Sequence, residues 1–472
     1  MMRKLAIVGV VLLLVRLGSP FAQTPSSPSA TRPESKKPAQ ELEPLPVTAP
    51  GSDVTVFAPG RSIARDYLRG GIVLGRALLR PTLEVGLEGD SNFLTLAETR
   101  GARNGIFAIA PGVDLEVPAL RSGFRLTYAP LIRVLRIAEL PSSNVAHRLD
   151  VDFTTRLGPA VTLAVRDHWT KATFDTLEFD PGREIFFNAK PFWRNDLAVR
   201  AEYAVTERDR LSAHIGLNRV ELSGPPRPDD LFFDYTTLTV ALAYARRWRP
   251  RHTLQFDVEI GRTHSRRAEN ARDPRLNDAR LLQVGATLRS RLMPTLRAEV
   301  QVAARRHRFP RAARNFFGPY LAVALEREFG HRLTLSISGM RTTVLSAFNP
   351  EEGNAFALTA GLSATLTQRI GPRLTWAIGA EAQRLSFPVP IGLDSSFGGV
   401  PLWEFVGVRR TDRLVGTRAE ITFRLHELLA VQVGYIFYER GSTITPFSFE
   451  RSRFKMGVVL GRWIPGTAAR RF

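Results

Sequence analysis

The feature that most constrains this chain is a hydropathy period of two, which returns from about Leu78 almost to its last residues. Leu254, Phe256, Val258 and Ile260 alternate with Thr253, Gln255, Asp257 and Glu259. Leu149, Val151 and Phe153 alternate with Arg148, Asp150, Asp152 and Thr154, and Ala419, Ile421 and Phe423 with Arg418, Glu420, Thr422 and Arg424. Successive side chains of a β-strand point to opposite faces, so each run has one apolar and one polar face.

A soluble sandwich shares that alternation, and the connectors separate the two architectures. The pattern predicts eighteen strands, near 78–88, 105–117, 123–135, 145–157, 161–170, 192–206, 210–222, 235–248, 252–265, 278–291, 295–308, 315–329, 332–344, 355–368, 373–386, 410–425, 429–440 and 450–463. The runs at 161–170 and 429–440 are the weakest, and sixteen strands is the alternative without them. Eight connections are tight and carry turn residues such as Pro118, Gly158-Pro159, Pro250, Pro294, Gly330 and Gly371-Pro372. The others are mostly longer, among them 171–191, 266–277 and 387–409, and tight and long connections alternate along the chain. Short periplasmic turns, longer outer loops and an even strand number are the arrangement of an outer-membrane barrel. The expected fold is therefore all-β, a transmembrane antiparallel β-barrel over 78–472 with both termini periplasmic. Phe124, Tyr128, Trp193, Tyr203, Tyr235, Tyr244, Trp248, Trp376, Tyr435, Phe437 and Trp463 are the expected aromatic girdle.

Composition removes competing classes. Mean hydropathy is −0.09, too polar for a helical membrane bundle, and the absence of cysteine excludes disulfide scaffolds and thiolate metal sites. The formal charge is +20, from 65 Lys plus Arg against 45 Asp plus Glu, but the basic residues are spread along the chain and interleaved with acids. A nucleic-acid binder concentrates its charge, so nucleic acid is not an expected partner.

Before the barrel, residues 1–22 read as a cleaved secretory signal, with Arg3 and Lys4 ahead of an apolar run from Leu5 to Val15. Residues 23–52 form a proline-rich leader with too little apolar surface to fold, and 53–77 a short periplasmic segment. This places the chain in the outer membrane, in contact with its lipid. The barrel assembly machinery is an expected partner, since Phe472 supplies a terminal aromatic, although Pro465 separates it from the last strand.

If the apolar face meets lipid, Arg125, Arg148, Arg156, Arg166, Arg200, Arg289, Arg297, Arg305, Arg418, Arg424, Arg453 and Lys455 all fall on the lumen-facing parity. The opposite parity would cost about 2–4 kcal/mol for each charge at the bilayer midplane. Such a lumen favours anionic solutes or polymers. In the competing reading these cations are held in the wall by Asp114, Glu116, Asp150, Asp152, Glu202, Asp257, Glu259, Glu299, Glu326, Glu381 and Glu420, which share their parity.

The run Leu79-Arg80-Pro81-Thr82-Leu83-Glu84-Val85-Gly86, then Asp90-Ser91-Asn92-Phe93 and Ala110-Pro111-Gly112-Val113-Asp114-Leu115, resembles the opening of the β-barrel porin 2 family of Gram-negative outer membranes. The resemblance covers about 40 residues. It implies an outer-membrane barrel and, from relatives linked to extracellular polysaccharide machinery, a conduit for export of anionic polysaccharide with periplasmic export proteins as partners. The alternatives are a passive, anion-preferring diffusion porin, for which 387–409 would be the constriction loop, and an adhesin or receptor barrel.

A hydrolase is the least favoured class. The eight His are scattered, and GxSxG and GxxxxGK[ST] are absent. His168 and His214 share lumen parity with nearby Asp, where a wall hydrogen bond is the simpler reading. No catalytic residue, metal or cofactor is assigned.

Overall fold

In the computed structural model, the described residues are 72–92, 104–119, 121–135, 143–173, 191–223, 234–266, 278–310, 315–345, 356–392, 396–397 and 400–461. The signal, the leader, most of 53–77, Trp463 and Phe472 lie outside them.

The wall strands are β1 (Ala77–Asp90), β2 (Asn104–Pro118), β3 (Ser122–Tyr128 and Leu131–Val134), β4 (Ser143–Arg156), β5 (Val161–Ala172) and β6 (Phe192–Ala204). They continue with β7 (Asp209–Leu222), β8 (Asp234–Arg249), β9 (His252–Arg266), β10 (Ala279–Met293), β11 (Leu296–Arg308) and β12 (Phe316–Phe329). The last six are β13 (Leu333–Leu345), β14 (Phe356–Ile370), β15 (Leu374–Pro390), β16 (Arg409–His426), β17 (Leu429–Ser442) and β18 (Phe449–Gly461). All eighteen expected strands are present, including the two weakest. Each pairs antiparallel with its sequence neighbours, and β1 pairs with β18 from Thr82↔Gly461 to Asp90↔Arg453, so the sheet closes.

Two departures from the sequence expectation have local causes. Ile72–Leu74 belongs to the sheet, folding back on Leu79–Ala77 as a short arm ahead of the barrel. The third strand is broken at Ala129-Pro130, where proline lacks the N–H a ladder needs. Its register does not slip, because Tyr128↔Leu149 and Leu131↔Ala146 keep one alignment across the gap. The tight turns at Gly330 and Gly371 both take a φ of 63°, a left-handed conformation that glycine adopts without a Cβ clash.

The barrel is inside out relative to a soluble domain. Leu238 and Leu242 on β8, Phe256 and Ile260 on β9, and Leu282 and Val284 on β10 are exposed on the outer face. Arg80 and Arg410 are among the largest fully buried side chains. An outer band of exposed apolar residues is unfavourable against water and favourable against lipid, and a closed sheet leaves no unpaired edge in the bilayer. No described helix is long and apolar enough to cross a membrane.

Candidate functional site

The lumen is the candidate site, and its walls come directly from the alternation. Each of the twelve basic residues singled out above lies opposite in parity to the outward apolar residues of its strand, and so on the lumen face. Those outward residues include exposed side chains in every case but β5, where they are half-buried. Most are held by carboxylates on the same wall. Arg125 binds Asp114 through two hydrogen bonds of 3.0 and 2.9 Å, and Arg166 meets Asp152 at 2.8 Å. Arg200 pairs with Glu202 at 2.5 Å, Arg289 with Glu299 at 3.3 Å and Arg297 with Glu326 at 3.7 Å. Arg453 pairs with Glu88 and Lys455 with Glu84, at 2.6 and 2.5 Å. Arg305 instead donates to Gln283 and Thr342 and sits over the Tyr320 ring. Arg418 lies beside Glu420 and Glu381. Arg148 and Arg424 occupy the same face, and Arg156, exposed at the tight-turn end of β4, has no side-chain ion pair among the described residues.

These pairs form a network along the seam where the sheet closes. Glu84, Glu88 and Asp90 of β1 meet Lys455, Arg453 and Arg451 of β18 in three successive rungs. On its other side β1 presents Arg80 to Asp114 and Glu116 of β2, at 3.4 and 2.9 Å. His168 bonds Asp150 at 2.6 Å through Nδ1 and the hydroxyl of the buried Thr170 at 2.9 Å through Nε2, which ties all three side chains into the wall.

At the end bearing the long connections, the lumen is crossed. One buried apolar cluster joins Ala146, Ala172, Phe192, Val220, Leu222 and Tyr235 of β4–β8 to Val344, Ala357, Leu385 and Phe387 of β13–β15, together with Ile391, Leu402, Ile444 and Phe447. Ala172 on β5 and Ala357 on β14 stand nine strands apart in a ring of eighteen, diametrically opposite. A circular barrel of that size is roughly 35 Å wide at the backbone, from the strand spacing and tilt. Two alanines cannot span that width, so chain from the connections fills it. Two segments supply that chain. In the first, Ile391 and Val408 close on each other by a 3.0 Å backbone bond, and Trp403–Phe405 forms a short 3-10 turn. The second is 443–448, which turns at Thr445–Phe447.

Arg410 anchors this constriction. It is buried between the rings of Phe387 and Phe447, at 4.2 and 4.3 Å, and ion-paired to the fully buried Asp412. Asp412 also accepts from Ser442, and Arg440 donates to the Phe447 carbonyl oxygen at 2.5 Å.

Arg80, Arg133, Arg194, Arg410, Arg440 and Arg451 are lumen cations that the sequence reading did not single out. Four of them share parity with a basic residue it did name on the same strand (Arg133 with Arg125, Arg194 with Arg200, Arg410 with Arg418, Arg451 with Arg453), so carrying the alternation along those strands finds them. Tyr235, expected in the outer girdle, instead faces inward and is 8% exposed within the constriction. At the upper end of β8 the odd-numbered face is the lumen face, and the girdle assignment rested on nearness to a strand end. No group of residues suited to a metal ion occurs among the described residues.

A closed ring of tilted antiparallel strands with an apolar outer band and a charged, constricted lumen defines a transmembrane β-barrel. Among solved structures the chain is similar to OccAB4 of Acinetobacter baumannii, at 10% identity over 82% of this chain and 98% of that one, with a TM-score of 0.43. It is similar also to the outer membrane protein OpdK of Pseudomonas aeruginosa, at 10% identity over 83% and 100%, TM-score 0.42. A third is the siderophore receptor PirA of the same organism, at 10% identity over 81% and 80%, TM-score 0.38. Likeness this low adds nothing to the strand pairing described above. No family model and no curated protein matches the chain.

Proposed function

We propose that this chain is an outer-membrane transport barrel that passes anionic solutes, with its tight turns in the periplasm and its long connections outside. The observation that carries the reading is the inside-out wall, lipid-facing apolar residues around a lumen lined with arginine. Carboxylates neutralise much of that charge, yet Arg156, Arg247, Arg291 and Arg369 gather toward the tight-turn mouth, where a basic rim raises the local concentration of anions. Both termini then lie in the periplasm, after removal of residues 1–22.

Two finer readings share this conclusion. Export of an anionic polysaccharide is supported by the resemblance of residues 79–115 to the β-barrel porin 2 family, and calls for periplasmic export proteins at the tight-turn mouth. A passive, anion-preferring porin is supported by the inward packing of Phe387, Ile391 and Leu402, which narrows the lumen as a constriction loop does. Reversal potential across a planar bilayer tests the common reading, with chloride preferred over potassium as the expected result and cation preference as the one that sinks it. Surface polysaccharide in a deletion strain separates the two. Loss of polymer with precursors retained inside supports export, and unchanged polymer leaves the porin.

A further inference from the structure

The outer face carries a second concentration of arginine that the transport reading does not use. Where the apolar band ends toward the long connections, Arg262 on β9, Arg280 on β10 and Arg308 on β11 stand directly side by side, paired Arg262↔Arg280 and Arg280↔Arg308 across the ladder. Their parity is that of Ile260, Leu282 and Val302, so they point outward. Arg306 lies one outward position below Arg308, opposite Leu282 and Phe317. All four are exposed, and none has a carboxylate partner among the described residues. The nearest described acid on this face, Asp278, is taken up by His264 and the Ser265 amide.

Like charges directly opposite each other on a sheet face repel. The outer face also holds the rung Arg384↔Arg413 between β15 and β16, a pair rather than a row of three, whereas other outward arginines, such as Arg219, are matched by a carboxylate. Arg219 of β7 is paired with Glu221 and stacked at 5.1 Å on Trp193. Three unpaired guanidinium groups in a row, about 10 Å from first to last by the strand spacing, call for a bridging anion. Directly beneath them is a groove of about 480 Å³ lined by Leu282, Val284, Ala304, Arg306, Phe316 and Phe317. It opens on the lipid side, and Phe317 is 76% exposed. Anion-binding groups above an apolar groove match one molecule that holds both features, a lipid with a phosphorylated headgroup. A second copy of this chain would bring the same positive patch and is disfavoured.

We propose that the outer face of β9–β12 binds the phosphate of an outer-leaflet glycolipid through Arg262, Arg280, Arg306 and Arg308, with an acyl chain in the groove below. The site rests on the reading that the long connections face outward, since that sets which leaflet these arginines meet.

The test is native mass spectrometry of the full chain in neutral detergent, titrated with bisphosphorylated lipid A, with its dephosphorylated form and with inorganic phosphate. Retained phosphorylated lipid, at least tenfold weaker retention of the dephosphorylated form, and a tenfold or larger loss in Arg280→Gln/Arg308→Gln are expected. Arg219→Gln should bind as the parent does. Equal retention of both lipids, or unchanged binding by the double variant, overturns the site. So does displacement of the lipid by millimolar inorganic phosphate, which would make it a free-phosphate site. Heat-modifiable migration on gels verifies that each variant is folded, and if the double variant is not, Arg262→Gln and Arg306→Gln are read singly. Orientation is scored separately. Since the chain has no cysteine, Trp403→Cys at the long-connection end and His331→Cys at a tight turn report it by labelling of intact cells. Outside labelling of Trp403→Cys with no lipid selectivity removes the site alone. Outside labelling of His331→Cys removes both the site and the orientation beneath it.

Discussion

From β16 through the seam to β6, the lumen wall is a lattice of ion pairs, most of them buried or half-buried, whereas from β13 to β15 the same face carries mostly Thr, Ser, Ala and Gly. There Ser338 meets Ser363 and Gln383 meets Thr359 by single hydrogen bonds. The difference follows from how each arc acquires its register. β14 and β15 are joined by the three-residue turn around Gly371, and that turn alone aligns Ile370 with Leu374. No turn joins β18 to β1, whose partners lie about as far apart in sequence as the barrel allows, so the loop-closure cost is greatest there. A slip of one residue would turn every side chain to the wrong face. Opposite charges at alternate positions make such a slip unfavourable, because Glu84, Glu88 and Asp90 would lose Lys455, Arg453 and Arg451 together.

Four substitutions break or sharpen this contrast, taken from the largest effect to the smallest. Glu84→Ala removes the 2.5 Å carboxylate partner of Lys455 in a site where both side chains are under 10% exposed, and should cost about 3–5 kcal/mol, read as a fall in the urea midpoint. An effect below about 1 kcal/mol would show that the seam does not depend on its charges. Phe447→Ala, in the fully buried constriction, should cost about 3 kcal/mol and raise single-channel conductance several-fold. Unchanged conductance would mean that the cluster does not limit the pore. Arg166→Gln removes a pair whose arginine is 75% exposed, so stability should move by less than about 1 kcal/mol while reversal potential shifts toward cations. Ser338→Ala on the neutral arc should change stability by about 0.5 kcal/mol or less, with selectivity unaltered.

The alternation of Leu254 to Ile260 with Thr253 to Glu259 made strands, faces and lumen parity legible, because side-chain direction in a strand depends only on position along it. Partners were less legible. Parity says that Arg125 and Asp114 share a face, but which carboxylate Arg125 meets depends on a register that the 119–121 turn sets in three dimensions. The constriction was anticipated as a segment, 387–409, but not as a cluster. Its far side is Phe192, Val220, Leu222 and Tyr235, apolar residues on the polar parity that resemble noise in the pattern until the facing segments are seen against them. Such breaks in alternation, confined to the long-connection ends, are the signal that was present and unread. The outer arginine row was legible as parity too, since Arg262, Arg280 and Arg308 continue the apolar positions. Only the ladder shows that they are adjacent.

An even number of strands returns the end of β18 to the rim where β1 begins, with Thr82 paired to Gly461. The chain could therefore be joined there by a short linker and reopened at Gly371, giving a circular permutant whose new ends fall between β14 and β15. The old seam would then be a hairpin held by its linker, and the hydroxyl-lined arc would have to close the ring without charges to align it. Assembly of that permutant should be slower and more prone to misregistered sheets than assembly of the parent, although the finished barrel holds the same contacts.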